Sequence, residues 1–334
     1  MKALKRDLPV IISVSFIILL MLTPKIAQNG ALEGIQQSVY VIIPSLFPYF
    51  FVTIYLNAWL LGIKVPGVYH LSKLLGLPSG GDPILLLGMI GGYPVGAQSI
   101  ANTYQHGAID RDSAHILLGY CNNAGPAFIF GVTTHLFSNL AVPWALWGVQ
   151  ILATICTGFI LPKPLNTEII QHEKRRLSAI EALQKSLHSI ASVCGWIILF
   201  KILLTYLDML PIGENTQVIL SGLLELSNGC LALRNIQREA IRFILCSLFL
   251  SFGGICVLMQ TKSSVGSLGL GYYLPGKIIQ TMLSILFSPV ASFLLFKDPM
   301  LIQFLPLCIA CIFLIIAARQ HFKKSCGISA QHGI

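Results

Sequence analysis

Seven stretches of the chain, 8–23, 38–61, 141–161, 187–207, 240–260, 277–296 and 300–318, are apolar for about the length of a bilayer crossing. A helix needs about 20 apolar residues to span hydrocarbon, so this many runs in 334 residues leave little choice of fold. The first run is short and calls for local thinning of the bilayer or snorkelling flanks. Three more apolar runs are interrupted at their centres: 84–101 by "GGYPVG", 115–136 by "CNNAGP" and 217–233 by "LELSNG". Only 10% of residues are charged, against about 25% in ordinary soluble domains. The expectation is an all-α, polytopic, multi-pass cell-membrane protein, in contact with the lipid bilayer.

Charge placement sets the orientation. The net charge of +9 comes from basic residues in the connections: Lys2, Lys5 and Arg6; Lys163, Lys174, Arg175, Arg176 and Lys185; Arg319, Lys323 and Lys324. The positive-inside rule makes all three groups cytoplasmic. No basic stretch is interleaved with aromatics, so a nucleic-acid partner is not expected. The basic start followed by an apolar core also has the outline of a secretory signal, but Lys25 stands where a cleavage site wants a small residue, which favours an uncleaved first helix. Eight of the nine cysteines lie in or beside apolar segments and read as small hydrophobes. The CxxC of Cys308 and Cys311 has no second pair to complete a zinc site, and no metal or organic cofactor is expected.

The long polar loop 162–186 divides the chain into two membrane repeats, 1–161 and 187–320, followed by a cytoplasmic tail, 321–334. Each repeat carries a re-entrant segment, 84–101 or 217–233, and a broken helix, 115–136 or 240–260, the last interrupted by "SFGG". With the orientation above, the first re-entrant run enters from inside and the second from outside. That is a degenerate inverted repeat of about eight transmembrane helices plus two re-entrant hairpins, the plan of many secondary transporters. Arg234, Arg238 and Arg242 would then face outside, against the charge rule: either they attract substrate or the second half is threaded differently.

Broken backbone at membrane depth survives only inside protein or beside a wet cavity, because each unpaired N–H or C=O in hydrocarbon costs several kcal/mol. Gly91, Gly92, Pro94 and Gly96 therefore argue for a cavity between paired half-helices whose ends bind ions, N-termini taking anions and carbonyl ends cations. A glycine packing face or a proline kink is the plainer alternative for any one run. Asn122 and Asn123 add amide groups that can bond a substrate's ring or carboxylate, or a neighbouring helix. Of the thirteen acidic residues, Glu225 alone sits within an apolar run. A charge at that depth costs about 3 kcal/mol or more, which marks Glu225 as a proton or cation carrier or a partner for a polar substrate, unless it is neutral and bonded to a neighbouring helix. Lys201 reads as the one comparable cation and as a snorkelling one. His135 and His188 read as interfacial. There is no HExxH, GxSxG or Walker signature, so an enzyme is not expected.

The pair "GGYPVGA" and "CNNAGP", followed by "LELSNG" and "SFGG", resembles the nucleoside-recognition or Gate-domain membrane proteins, closest to the sporulation integral membrane protein branch and related to concentrative nucleoside transporters. The resemblance is strong over 84–131, weaker over 217–260 and slight elsewhere. It implies a transport-type fold and, in the sporulation branch, movement of dipicolinate between mother cell and forespore. The positions it marks are Gly92, Tyr93, Pro94, Gly96, Asn122, Gly125, Pro126, Glu225, Asn228, Gly229, Gly253 and Gly254. Two departures are that the chain is short for that branch and that Asn123 stands where a small hydroxyl residue is expected.

The expected function is secondary transport, by alternating access, of a small polar metabolite, either an anionic, dipicolinate-like aromatic or a nucleoside-like compound. Gly92, Tyr93, Pro94, Gly96, Asn122, Asn123, Gly125, Asn228, Gly253 and Gly254 would form the substrate site, and Glu225 would couple H+ or Na+. The sequence leaves oligomeric state open. The rival readings are a scaffold recruiting partners through the basic loop, and an intramembrane enzyme acting on a lipid-linked substrate.

Overall fold

The computed structural model describes residues 2–60, 62–164, 169, 177–298 and 301–331, and among them the chain is all-α. Helix α1 (Lys2–Leu22) ends where Thr23 turns the chain, its hydroxyl bonding the Leu19 carbonyl at 2.6 Å. Pro24, which lacks an N–H to satisfy, opens α2 (Pro24–Gln37). A π turn, Ser38–Ile42, joins α2 to α3 (Ile43–Leu60) without a break, giving one apolar helix of 37 residues. It begins well before the apolar run at 38–61, because "PKIAQNGALEGIQQ" is helical although polar. Gly30 and Gly34 explain how that segment is buried. A Cβ on either would come within 3 Å of the backbone of α10 (Ala179–Leu207), at Ile202 and Ile198, so the small-xxx-small spacing lets the two helices meet closely. Beside the crossing, Lys201 pairs with Glu33 at 3.0 Å, so this lysine has a carboxylate partner.

Four short helices follow: α4 (Tyr69–Leu75), α5 (Asp82–Ile90), α6 (Val95–Gln105) and α7 (Arg111–Leu118). Asp82 is a buried acid the sequence reading passed over, 2% exposed. Its carboxylate takes the Ser72 hydroxyl at 2.5 Å and the Val65 N–H at 3.0 Å, tying α4 and its approach to the start of α5. Asp110 caps α7 through the Ser113 N–H at 2.7 Å. After α8 (Pro126–Thr133) come the long α9 (Ala141–Ile160) and α10 (Ala179–Leu207), the latter opened by a reciprocal Ser178–Glu181 capping box. Lys174, Arg175 and Arg176 lie outside the described residues; Lys163 and Lys185 are exposed.

The remainder comprises α11 (Glu214–Leu224), α12 (Leu226–Ala232), α13 (Glu239–Phe252), α14 (Gly254–Val265), α15 (Tyr273–Phe296) and α16 (Leu301–Gln331). Among the described residues, five apolar stretches are long enough to cross a membrane: Pro24–Leu60, Ala141–Ile160, Ala179–Leu207, Glu239–Leu268 and Tyr273–Phe296. Val10–Leu22 and Pro306–Gln320 are shorter apolar helical stretches. The closest packing joins α2 and α3 to α10, α13 to α15, and α15 to α9. Two apolar cores result. One gathers Phe50, Leu146, Phe243 and Phe249, and the other Leu85, Ile100, Leu117 and Tyr120. The four interrupted runs break α5 from α6 at residues 91–94, α7 from α8 at 119–125, α11 from α12 at Glu225, and α13 from α14 at Gly253.

Candidate functional site

Close backbone contact brings the breaks together. Gly92 has a φ of +74°, reserved for glycine at low cost, and a Cβ there would press on Gly125 N at 3.0 Å. The α5–α6 turn therefore rests on the loop between α7 and α8. A Cβ at Gly96 would collide with the Cys121 carbonyl, so Gly96 serves this same contact. Gly229 is held against Gly222 in the same way, where α12 lies along α11. At the fourth break Gly253 and Gly254 both have positive φ, +83° and +77°.

Side chains occupy two of the new helix N-termini. Asn122 Oδ1 accepts the Ala97 N–H at 3.2 Å, capping α6 from another segment, while its Nδ2 donates to Thr261 Oγ1 of α14 at 3.1 Å. Glu225 caps α12: its carboxylate oxygens take the Ser227 N–H at 3.0 Å and the Asn228 N–H and Nδ2 at 2.6 Å each. Three donors aimed at one carboxylate explain how a group 1% exposed is tolerated within an apolar run. At α8 and α14 the N-cap positions are Gly125 and Gly253, which bring no side chain to the cap.

Between the breaks lies a cavity with about 30 Å³ of room for water centres, lined by Gly92, Tyr93, Gly125, Glu225, Ser227 and Gln260 among others. That is space for a water or two. Of the residues marked by the sequence, Gly92, Tyr93, Gly125 and Glu225 reach this cavity. Pro94, at the N-cap of α6, and Gly96, Asn122, Asn123, Asn228, Gly253 and Gly254 stand behind them as turns, caps and packing. Tyr93 joins the halves, its hydroxyl donating to the Leu250 carbonyl near the end of α13 at 3.3 Å.

A buried polar network adjoins the cavity. Lys277, on α15, is 1% exposed, and its ammonium donates to Asn123 Oδ1 at 3.0 Å and Gln280 Oε1 at 2.7 Å. It sits 5.1 Å from the Tyr93 ring centroid and 5.8 Å from that of Tyr273. Gln280 continues to Thr154 at 3.0 Å and Gln150 at 3.3 Å, and Gln150 to Ser251 at 2.7 Å. Sequence reasoning named none of Lys277, Gln280, Gln150, Ser227 or Gln260. A signal existed: Lys277, Gln280, Ser284 and Ser288 recur at helical spacing and form one buried face of α15. Lys201, named instead, is the partly exposed, paired cation.

The arginines of the second half have structural partners. Arg242 donates to the Leu136 carbonyl at 2.5 Å and the Ile236 carbonyl at 2.7 Å, and Arg238 pairs with Asp298 at 3.1 Å. Arg234, His135 and His188 are exposed.

The chain is 25% identical over 236 residues to the sporulation integral membrane protein YlbJ of Bacillus subtilis (strain 168). The match covers 61% of this chain and 57% of the relative, so the chain spans little more than half of that protein's length. It is a distant homologue of a sporulation membrane protein. Together with its long apolar helices, this makes it a multi-pass integral membrane protein with a bacterial relative. No family model matches it. No solved structure matches it either.

Proposed function

We propose that the protein is a secondary transporter of a small polar metabolite, a carrier rather than an enzyme, working by alternating access. The observation that carries this reading is the meeting of three helix breaks, at Gly92–Tyr93, Gly125 and Glu225, around one cavity that α14, which follows the fourth break, also lines through Val257 and Gln260. Interrupted backbone is tolerated at membrane depth where it faces protein or a wet cavity, and here it packs against protein and lines a cavity with room for water.

The proposed threading has eight crossings: α1, the helix 24–60, α7 with α8, α9, α10, α13 with α14, α15 and α16. The pairs α5–α6 and α11–α12 enter and return as hairpins from opposite faces. Contacts support this path. Arg242 gathers the end of α8 and the α12–α13 connection at one face, where Arg238 also meets Asp298 beyond α15. Arg111 and His115 of α7 bond the Leu268 carbonyl beyond α14 at the other, at 3.2 and 2.8 Å. The repeats 1–161 and 187–320 would then be inverted copies.

A cavity of this size is far below the roughly 300 Å³ or more of an ordinary small-molecule site, so on this reading rocking of one repeat must widen the chamber to admit substrate. The substrate class is an aromatic dicarboxylate resembling dipicolinate or a nucleoside, with Glu225 coupling H+ or Na+. Purified protein in proteoliposomes should accumulate labelled pyridine-2,6-dicarboxylate or uridine when a proton or sodium gradient is imposed. Uptake of neither above protein-free vesicles, under either gradient, would refute the reading.

A further inference from the structure

We propose that Lys277 is the charge-selecting residue of this site: its ammonium, uncovered when the Tyr93 ring turns aside, pairs with a carboxylate of the transported molecule. The inference rests on the transport reading and adds to it a residue and a selection rule.

The first support is an imbalance of charge. Lys277 is fully enclosed, and among the described residues no carboxylate lies within ion-pair distance of it. Its neighbours are two amide oxygens and two tyrosine rings. Such groups hold an ammonium but leave its charge uncancelled, and an uncompensated charge in a low-dielectric interior is costly. An anion brought beside it recovers that cost, while a neutral ligand of the same shape does not.

The second support is preorganisation. Asn123 Nδ2 donates to the Tyr120 carbonyl at 2.8 Å, and Gln280 Nε2 donates to Thr154 and Gln150. With each amide's donor side engaged elsewhere, each oxygen is fixed toward the ammonium. The surroundings therefore offer two fixed acceptors to the Lys277 amino group at this point. The third support is position. Tyr93 lines the cavity and its ring also carries the ammonium, so one side chain separates the cation from the chamber. Glu225, the carboxylate that lines the chamber, has both oxygens turned to N–H groups of α12 and is met by that helix end.

The test is ligand-induced thermal stabilisation of the purified full chain by pyridine-2,6-dicarboxylate, pyridine-2-carboxylate and the neutral pyridine-2,6-dicarboxamide, with uridine as a further probe. The wild type should bind in order of charge, with the diamide weakest. Lys277→Gln should bind the dicarboxylate at least about tenfold more weakly, and Lys277→Arg should recover part of the loss. Equal binding of diamide and dicarboxylate by the wild type overturns the proposal, and this arm decides the matter even if Lys277→Gln does not fold. Unchanged dicarboxylate binding in a folded Lys277→Gln protein also overturns it. Binding of uridine alone, insensitive to Lys277→Gln, removes charge selection and leaves transport standing. A wild type that neither binds nor carries any of these compounds removes both.

Discussion

Replacing Glu225 by Gln separates what this residue does for the fold from what it does for coupling. The carboxylate receives three donors, two on one oxygen and one on the other. Glutamine keeps a single acceptor. If that oxygen faces Asn228, the new NH2 group confronts the Ser227 N–H, donor against donor, in a site 1% exposed. One buried donor left unmatched costs about 1–3 kcal/mol, and loss of the negative charge at the α12 N-terminus adds about 0.3–1 kcal/mol. The expected destabilisation is about 2–3 kcal/mol, which for a chain of 334 residues lowers the melting temperature by about 3–4 °C. Asn228→Ala removes one of the same bonds and should cost about 1 kcal/mol. Because both changes act on one cap, the double variant should be less destabilised than the two effects added, by about 0.5 kcal/mol or more. Thermal unfolding of the purified variants in detergent reads all four corners of the cycle. A Glu225→Gln protein melting within about 1 °C of wild type would refute the capping argument. If it folds and transports but no longer responds to a proton or sodium gradient, the coupling role stands.

Further outcomes follow from local geometry. Gly229→Ala drives a methyl group into the Gly222 backbone, and overpacking of this kind should cost about 1–3 kcal/mol or more; a thermal melt and uptake assay should both register it, whereas Gly148→Ala, inside α9 with open space around it, should lower neither. Arg242→Ala strips a charged donor from two carbonyls and should destabilise by about 1.5–3 kcal/mol. Arg238→Ala breaks an ion pair whose arginine is half exposed, and should cost under about 1 kcal/mol in the same melt.

Much of the helical plan was legible because apolar length and helix-breaking residues are local signals. Pro94, Pro126 and Gly253 mark their breaks directly, and Glu225 was conspicuous because charge in an apolar run is conspicuous. Two things were hidden for physical reasons. The helix 24–60 starts in a polar segment whose helicity depends on a partner, α10, that pairs Glu33 and accepts Gly30 and Gly34. Lys277 begins an apolar run, where a lysine ordinarily reaches for water. Its burial follows from Asn123, which is 154 positions away in sequence. Asn122 illustrates the same limit: its amide types were right for ligand binding, yet the structure spends them on capping α6 and holding Thr261.

The central claim is that the junction of the broken helices opens to water in turn from each side of the membrane. Single cysteines at Ser227 and Gln260, in a background without native cysteines, can be challenged with a membrane-impermeant maleimide from either face. Leu294, 64% exposed on α15, supplies the lipid-facing control. The account predicts labelling of Ser227→Cys and Gln260→Cys from both faces, slowed by substrate, with Leu294→Cys unreactive. Junction cysteines as inert as the one at Leu294, from both faces and with or without substrate, would contradict it.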